Sequence, residues 1–200
     1  MFSSLDLGLK DKVAIVAGGG ALGEGIGNGR AASILLAEAG VRVLVVDRDE
    51  ELANNTVKMI KDRGGEALGI RGDLTQSDQC KRVVDFVLKN WGRLDILDNN
   101  IGIDSKLSVV DETEEYWDRV MEVNLKPMFL MSKYAIPAMI NSGDGGSIVN
   151  ISSISATRPK GLTVYSASKG AVLSLSQAMA VDHGEDGIRV NCILPGPVYT

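Results

Sequence analysis

Six short apolar runs, rich in β-branched residues, alternate with segments of helical periodicity along this chain. They lie at 13–17, 41–47, 67–71, 94–98, 147–151 and 189–194. Each is nearly continuous in its apolar character, as strands covered on both faces are. Helical spacing occupies about 26–39, 50–63, 77–90, 114–141 and 164–183. Strands that alternate with helices in this way build an α/β fold, a doubly wound parallel sheet with right-handed crossovers. A ligand then belongs at the carboxyl ends of the strands, where the winding direction reverses.

Local signals refine this outline. In the first helix Ala31, Ile34, Leu35 and Ala39 recur at helical spacing and are expected to face the sheet. Gly40 and Gly64 stand where helices stop, and Asp49 and Thr113 where N-caps belong. Pro127 and Pro137 are expected to disturb the long fourth helix.

Seven glycines fall between Gly18 and Gly29, directly after the first apolar run. Glycine lets a backbone turn tightly and approach phosphate oxygens. The helix that follows offers unpaired N–H groups and the positive end of its dipole. Twenty residues after Gly27 the second apolar run ends in Asp47. An acid there suits the two hydroxyls of a ribose, so the pattern points to a dinucleotide.

The net charge of −5, without a basic run, argues against nucleic acid or an anionic membrane as partner. Cys80 and Cys192 are isolated in apolar segments and read as reduced thiols. With one histidine, His183, no metal-ligand cluster is expected. The N-terminus carries no apolar signal core, and no apolar stretch reaches membrane-spanning length. These features predict a cytoplasmic protein.

The catalytic signal is Tyr165-Ser-Ala-Ser-Lys169. Four residues apart on a helix, the phenol and the ammonium share one face. A nearby positive charge favours phenolate, which equips a tyrosine to exchange a proton with a hydroxyl or carbonyl oxygen. Upstream, the strand in GSIVNISSIS ends in Ser152 and Ser153, placing a hydroxyl at the expected ligand crevice. Asn99-Asn100-Ile101-Gly102 ends another strand, where it can border a cofactor. Asn124 stands among apolar helix positions and could equally be a core amide satisfied by backbone.

These residues, in this order, resemble the short-chain dehydrogenase/reductase family over almost the whole chain. The resemblance rests on the glycine-rich turn, Asp47, Asp73-Leu74-Thr75, Asn99 to Gly102, Asn124, Ser153, Tyr165 with Lys169, and Asn191 through Pro195-Gly196-Pro197. It implies a single Rossmann domain over 1–200 and a catalytic tetrad of Asn124, Ser153, Tyr165 and Lys169. Tyr165 would be the acid/base, and Ser153 would position the substrate oxygen. Lys169 would assist the tyrosine and hold the nicotinamide ribose, while Asn124 would order a water in the proton relay. The resemblance assigns NAD to Gly18, Gly25, Ile26, Gly27, Asp47, Asp73, Leu74, Asn100, Ile101 and Gly102. It adds Tyr165 and Lys169, and the backbone around Pro195, Gly196 and Val198. It also implies a small alcohol or ketone substrate. A homodimer or homotetramer would form through helices 114–141 and 164–183, with Met121, Met128, Phe129 and Met131 serving core and interface together.

Four departures stand out. Six residues separate Gly18 from Gly25, more than is usual in the family, and Ala17 replaces the customary threonine. Asp98 and Ile101 occupy positions that are usually apolar and alanine; a carboxylate at 98, if buried, must find donors or take up a proton. Ser153 lies twelve residues before Tyr165, one fewer than is common. The chain also stops at Thr200, short of the family's lid helices and last strand. That shortfall leaves an alternative reading, a dinucleotide-binding module with little catalysis.

Overall fold

The computed structural model describes residues 7–23 and 25–197. Six parallel strands form one sheet in the order β3-β2-β1-β4-β5-β6. They are β1 (Val13–Ala17), β2 (Arg42–Asp47), β3 (Ala67–Arg71), β4 (Ile96–Asn99), β5 (Gly146–Ile151) and β6 (Ile188–Ile193). The helices are α1 (Asn28–Glu38), α2 (Glu50–Asp62), α3 (Ser77–Trp91), α4 (Glu114–Asn124), α5 (Lys126–Asn141) and α6 (Thr163–Asp182). A short 3₁₀ turn spans Ile154–Ala156.

Strand β1 explains why its apolar run is unbroken. Val13, Ile15 and Ala17 enter one core with Val83, Val87, Met131 and Met139 from α3 and α5. Ala14 and Val16 enter a second with Ile34, Ala37, Val57 and Ile60 from α1 and α2. Winding runs from β1 outward to β3, then restarts at β4 on the other side of β1. The switch point therefore opens between the carboxyl ends of β1 and β4.

Some expectations need correction. Helix α1 begins at Asn28, not at 26, because Gly27 keeps an extended conformation at the cap. Leu35 is 54% exposed, and Arg30, Ser33, Ile34 and Ala37 take the buried face instead. The cause is the close approach of the helix to the glycine turn: a Cβ on Gly29 would stand 2.1 Å from the Gly18 carbonyl oxygen. The segment 114–141 is two helices that meet at Leu125. Pro127 has no N–H to continue the ladder, and its ring crowds the carbonyl four residues back. Pro137, by contrast, lies inside α5 without ending it. Strand β6 is covered on one face only; Arg189, Asn191 and Ile193 are exposed. Met128 and Met131 belong wholly to the core, whereas Phe129 is exposed. Asp49 and Thr113 do cap their helices, the first accepting from Glu51 and Leu52, the second from Tyr116. Cys80 is a buried thiol pushed up to about 12 by that burial, and both cysteines are free. Among the described residues no helix is long and apolar enough to cross a membrane.

Candidate active site

A cleft of about 280 Å³ opens at the switch point. Its floor is the pair of chain reversals after β1 and β4. The Gly18 N–H donates to the Val46 carbonyl (2.8 Å) and the Asn100 N–H to the Ala17 carbonyl (2.8 Å). A Cβ on Gly18 would stand 2.8 Å from the Asn100 carbonyl oxygen, so the two turns touch only because position 18 has no side chain.

The Asp47 carboxylate lies at one end of this cleft. One of its oxygens accepts from the Gly20 N–H (3.1 Å), the other from the Asp49 N–H (3.1 Å). The carboxylate is thus held in place before any ligand arrives. Asp73 lines the same end, with Leu74 beside it. Burial pulls the Asp73 carboxyl up, but the Thr75 hydroxyl (2.8 Å) and N–H (3.1 Å) outweigh it and hold it below its ordinary value. Asn100, Ile101 and Gly102 form the opposite wall. Gly25 and Gly27 border an adjoining recess with Gly18, Gly20 and Asn100, while Ile26 is 52% exposed.

Behind the Ile101–Ile103 wall lie Lys169 and Tyr165 of α6 and Asn124 at the end of α4. The Lys169 ammonium, buried on α6, donates to the Ile151 carbonyl (2.8 Å) and reaches the Ile101 carbonyl at 3.5 Å. Burial pushes this lysine down to about 8. Its nitrogen lies 5.8 Å from the Tyr165 ring centroid, as the four-residue spacing requires. A Cβ on Gly102 would approach Lys169 Nζ to 3.1 Å and Asn124 Oδ1 to 3.5 Å, so this glycine keeps the junction open. Ser153 begins the 3₁₀ turn, its hydroxyl oxygen accepting from the Ser155 N–H (3.2 Å). Its neighbour Ser152 instead donates to the Lys169 carbonyl (2.7 Å), a bond that joins β5 to α6. Asn124 is buried; it accepts from the Ile103 N–H (2.8 Å) and donates to the Ile103 carbonyl (2.9 Å) and the Ser168 hydroxyl (2.9 Å). The two bonds to Ile103 match the reading of Asn124 as an amide satisfied by backbone. Pro195 accepts from the Ile154 N–H (3.0 Å), which brings Pro195 and Gly196 beside the Ser153 turn. Val198 lies outside the described residues.

Several participants carried no sequence signal of their own. Arg119 lines the cleft, and Ser168 links Asn124 to the Tyr165 carbonyl. Arg30 is completely buried beneath the glycine loop. Asp98 is buried as well; its Oδ1 has no partner among the described residues, and burial pushes it up to about 6.

Known proteins resemble this chain over most of its length. A family model described as short chain dehydrogenase matches residues 12–200. An oxidoreductase of Thermotoga maritima is 40% identical over 194 residues, covering 95% of this chain and 73% of its own. Cyclopentanol dehydrogenase of a Comamonas species is 38% identical over 193 residues, covering 96% of this chain and 75% of its own. A solved 7α-hydroxysteroid dehydrogenase, complexed with NADH and 7-oxo glycochenodeoxycholic acid, superposes with a TM-score of 0.87 at 35% identity, over 94% of this chain and 71% of that one. With its parallel Rossmann sheet and this degree of likeness, the chain belongs to the short-chain dehydrogenase/reductase family of oxidoreductases.

Proposed function

We propose that the chain exchanges a hydride between NAD(H) and a small alcohol or ketone. The observation that carries this reading is the buried Lys169 ammonium beside the Tyr165 ring, which reaches the carbonyl of Ile101 in the wall of a cleft that Asp47 and Asp73 also line. The cleft fits such a cofactor chemically. Carboxylates at one end suit hydroxyls and an adenine edge, glycine N–H groups suit a pyrophosphate, and an ammonium answered only by carbonyls suits a ribose diol. A bound nicotinamide supplies the hydride acceptor or donor. The protein supplies the proton path and the positioning.

Oxidation of an alcohol needs a base for the hydroxyl proton, and reduction of a ketone needs an acid for the nascent alkoxide. Tyr165 fills both roles; its hydroxyl has no competing partner among the described residues. Ser153 has a hydroxyl proton to offer the same oxygen, whereas that of Ser152 is committed to Lys169. Lys169 sets a positive charge beside the Tyr165 ring and would hold the nicotinamide ribose. Asn124, fixed by Ile103, borders the relay. The relatives support the substrate class: one is named for an alcohol, another is complexed with NADH and a keto steroid.

NAD is preferred to NADP, because the Asp47 carboxylate would accept from two ribose hydroxyls and repel a 2′-phosphate. Arg48 also lines the cleft and opposes this preference. Titration of both cofactors tests it: NAD should bind tighter, and Asp47→Ala should narrow the gap. Equal or tighter NADP binding contradicts it. The exposed Trp117 and Phe129 on α4 and α5 suit a dimer interface, which light scattering at micromolar concentration checks.

A further inference from the structure

The carbonyls of Gly19, Ala21, Gly23 and Gly25 in the glycine loop are tied down by two side chains, Arg30 and Thr56. Arg30, in the first turn of α1, is 0% exposed. Its Nη1 donates to the carbonyls of Gly23 (3.0 Å) and Gly25 (2.6 Å), and its Nη2 to that of Ala21 (2.7 Å). Its Nε donates to the Thr56 hydroxyl (3.1 Å), which in turn donates to the Gly19 carbonyl (2.9 Å). Four carbonyls of one loop are therefore gathered by one guanidinium and one threonine of α2. No carboxylate is among these partners. A buried cation is costly unless dipoles surround it, and here the loop itself provides them.

The consequence lies on the loop's other side. In a trans peptide the C=O and the following N–H point in opposite directions. Carbonyls of 21 and 25 drawn towards the guanidinium leave the N–H groups of Leu22 and Ile26 pointing away from it. Neither N–H has an acceptor among the described residues. Gly25, Gly27 and the start of α1 border the recess that also contains Gly18, Gly20 and Asn100. We infer that Arg30 is a positioning residue: it holds the lengthened loop, carbonyls inward, in the form that receives the pyrophosphate of the dinucleotide. This rests on the proposed function for the ligand, but not for the clamp. It also accounts for the loop's length, since an unclamped run of that size rich in glycine would lose much entropy on binding.

Two substitutions separate this from general support of the fold. Arg30→Met keeps the aliphatic stem and removes every donor. Arg30→Lys keeps the charge but offers one nitrogen where three carbonyls and a hydroxyl need a planar fork. Calorimetric titration should show NAD binding weakened by about tenfold or more in both, the worth of one or two charge-assisted hydrogen bonds. Adenosine, which reaches the Asp47–Asp73 end without a pyrophosphate, should keep its affinity within about twofold. Thermolysin, used without ligand, should cut before Leu22 or Ile26 faster in the variants. Cutting at the exposed pair Val109 and Val110 should not change. If Arg30→Met does not fold, Thr56→Val, which removes the Nε partner and the Gly19 link, should shift the readouts in the same direction. NAD affinity unchanged in a folded variant, an equal loss for adenosine, or unchanged loop cutting would overturn the inference. Wild-type protein that binds no NAD would instead strike at the oxidoreductase reading, and the ligand-free proteolysis would still decide the clamp.

Discussion

Asp95 and Asp98 stand three residues apart at opposite ends of one buried stretch of chain, and they are treated in opposite ways. Asp95, at the amino end of the sheet, accepts from the Val13 N–H (2.8 Å) and from two nitrogens of Arg93 (2.9 and 2.5 Å). Lys12 lies 3.3 Å away, and Lys12 and Arg93 also share Asp144. Burial pulls Asp95 up, but these donors outweigh it and hold the carboxyl below its ordinary value. Asp98, towards the carboxyl end, has one long contact of 3.4 Å from the Asn100 amide. Lys169, at the same end, has carbonyls but no carboxylate among the described residues. One end of the sheet satisfies its charges and holds the fold together. Towards the other end Asp98 and Lys169 are buried with no oppositely charged partner among the described residues, at a cost in stability.

The contrast can be broken most severely at Lys169. Lys169→Met should lower turnover by about 10²-fold or more. The same change should stabilise the protein by about 1–3 kcal/mol near neutral pH, as the burial penalty disappears. The sign follows from the shift. The lysine sits at about 8 when folded and at 10.5 in its ordinary state, so the unfolded chain binds the extra proton between those values. Its contribution to stability therefore rises with pH across that window and is least favourable below about 8. Urea unfolding from pH 7 to 10 checks both parts.

At the opposite end, Asp95→Ala should cost about 3 kcal/mol, because Arg93 and the Val13 N–H lose their partner. Turnover per folded molecule should be unchanged. Asp98→Asn should act in the other direction, raising stability by about 1–2 kcal/mol at pH 7 to 8. The folded carboxyl sits at about 6 against an ordinary 3.8, so the folded chain binds the extra proton in between. Stability from Asp98 falls as pH rises through that window, and the variant's profile should be flatter there. The smallest effect belongs to the exposed Lys58–Asp62 pair on α2 (2.8 Å), where Lys58→Ala should leave the urea midpoint unchanged within error.

The parts most legible in the sequence were those set by local chemistry. The unbroken run 13–17 demanded burial on both faces, and β1 has it. Asp49 and Thr113 announced their helix starts. The Tyr165–Lys169 spacing placed ring and ammonium on one face. Residues whose surroundings come from distant segments were hidden. Arg30 carries no signal of its own until the loop's carbonyls are placed around it. Leu35 has helical spacing, yet the approach of Gly29 to Gly18 turns it outward. Pro127 signalled an irregularity, but not that the helix would part at Leu125. The division between Ser152 and Ser153 depended on which hydroxyl meets the Lys169 carbonyl, a contact 17 residues away in sequence.

In the proposed function Tyr165, at the carboxyl end of the sheet, passes a proton to or from an alcohol oxygen. The most direct test of this step is Tyr165→Phe, assayed by NADH absorbance over a panel of small alcohols and ketones, with NAD affinity measured in parallel. Wild-type protein should turn over at least one of them. The variant should lose about 10²-fold or more in rate and keep its NAD affinity within about twofold, since only the hydroxyl is removed. A variant that retains about a tenth of the wild-type rate or more would contradict the account.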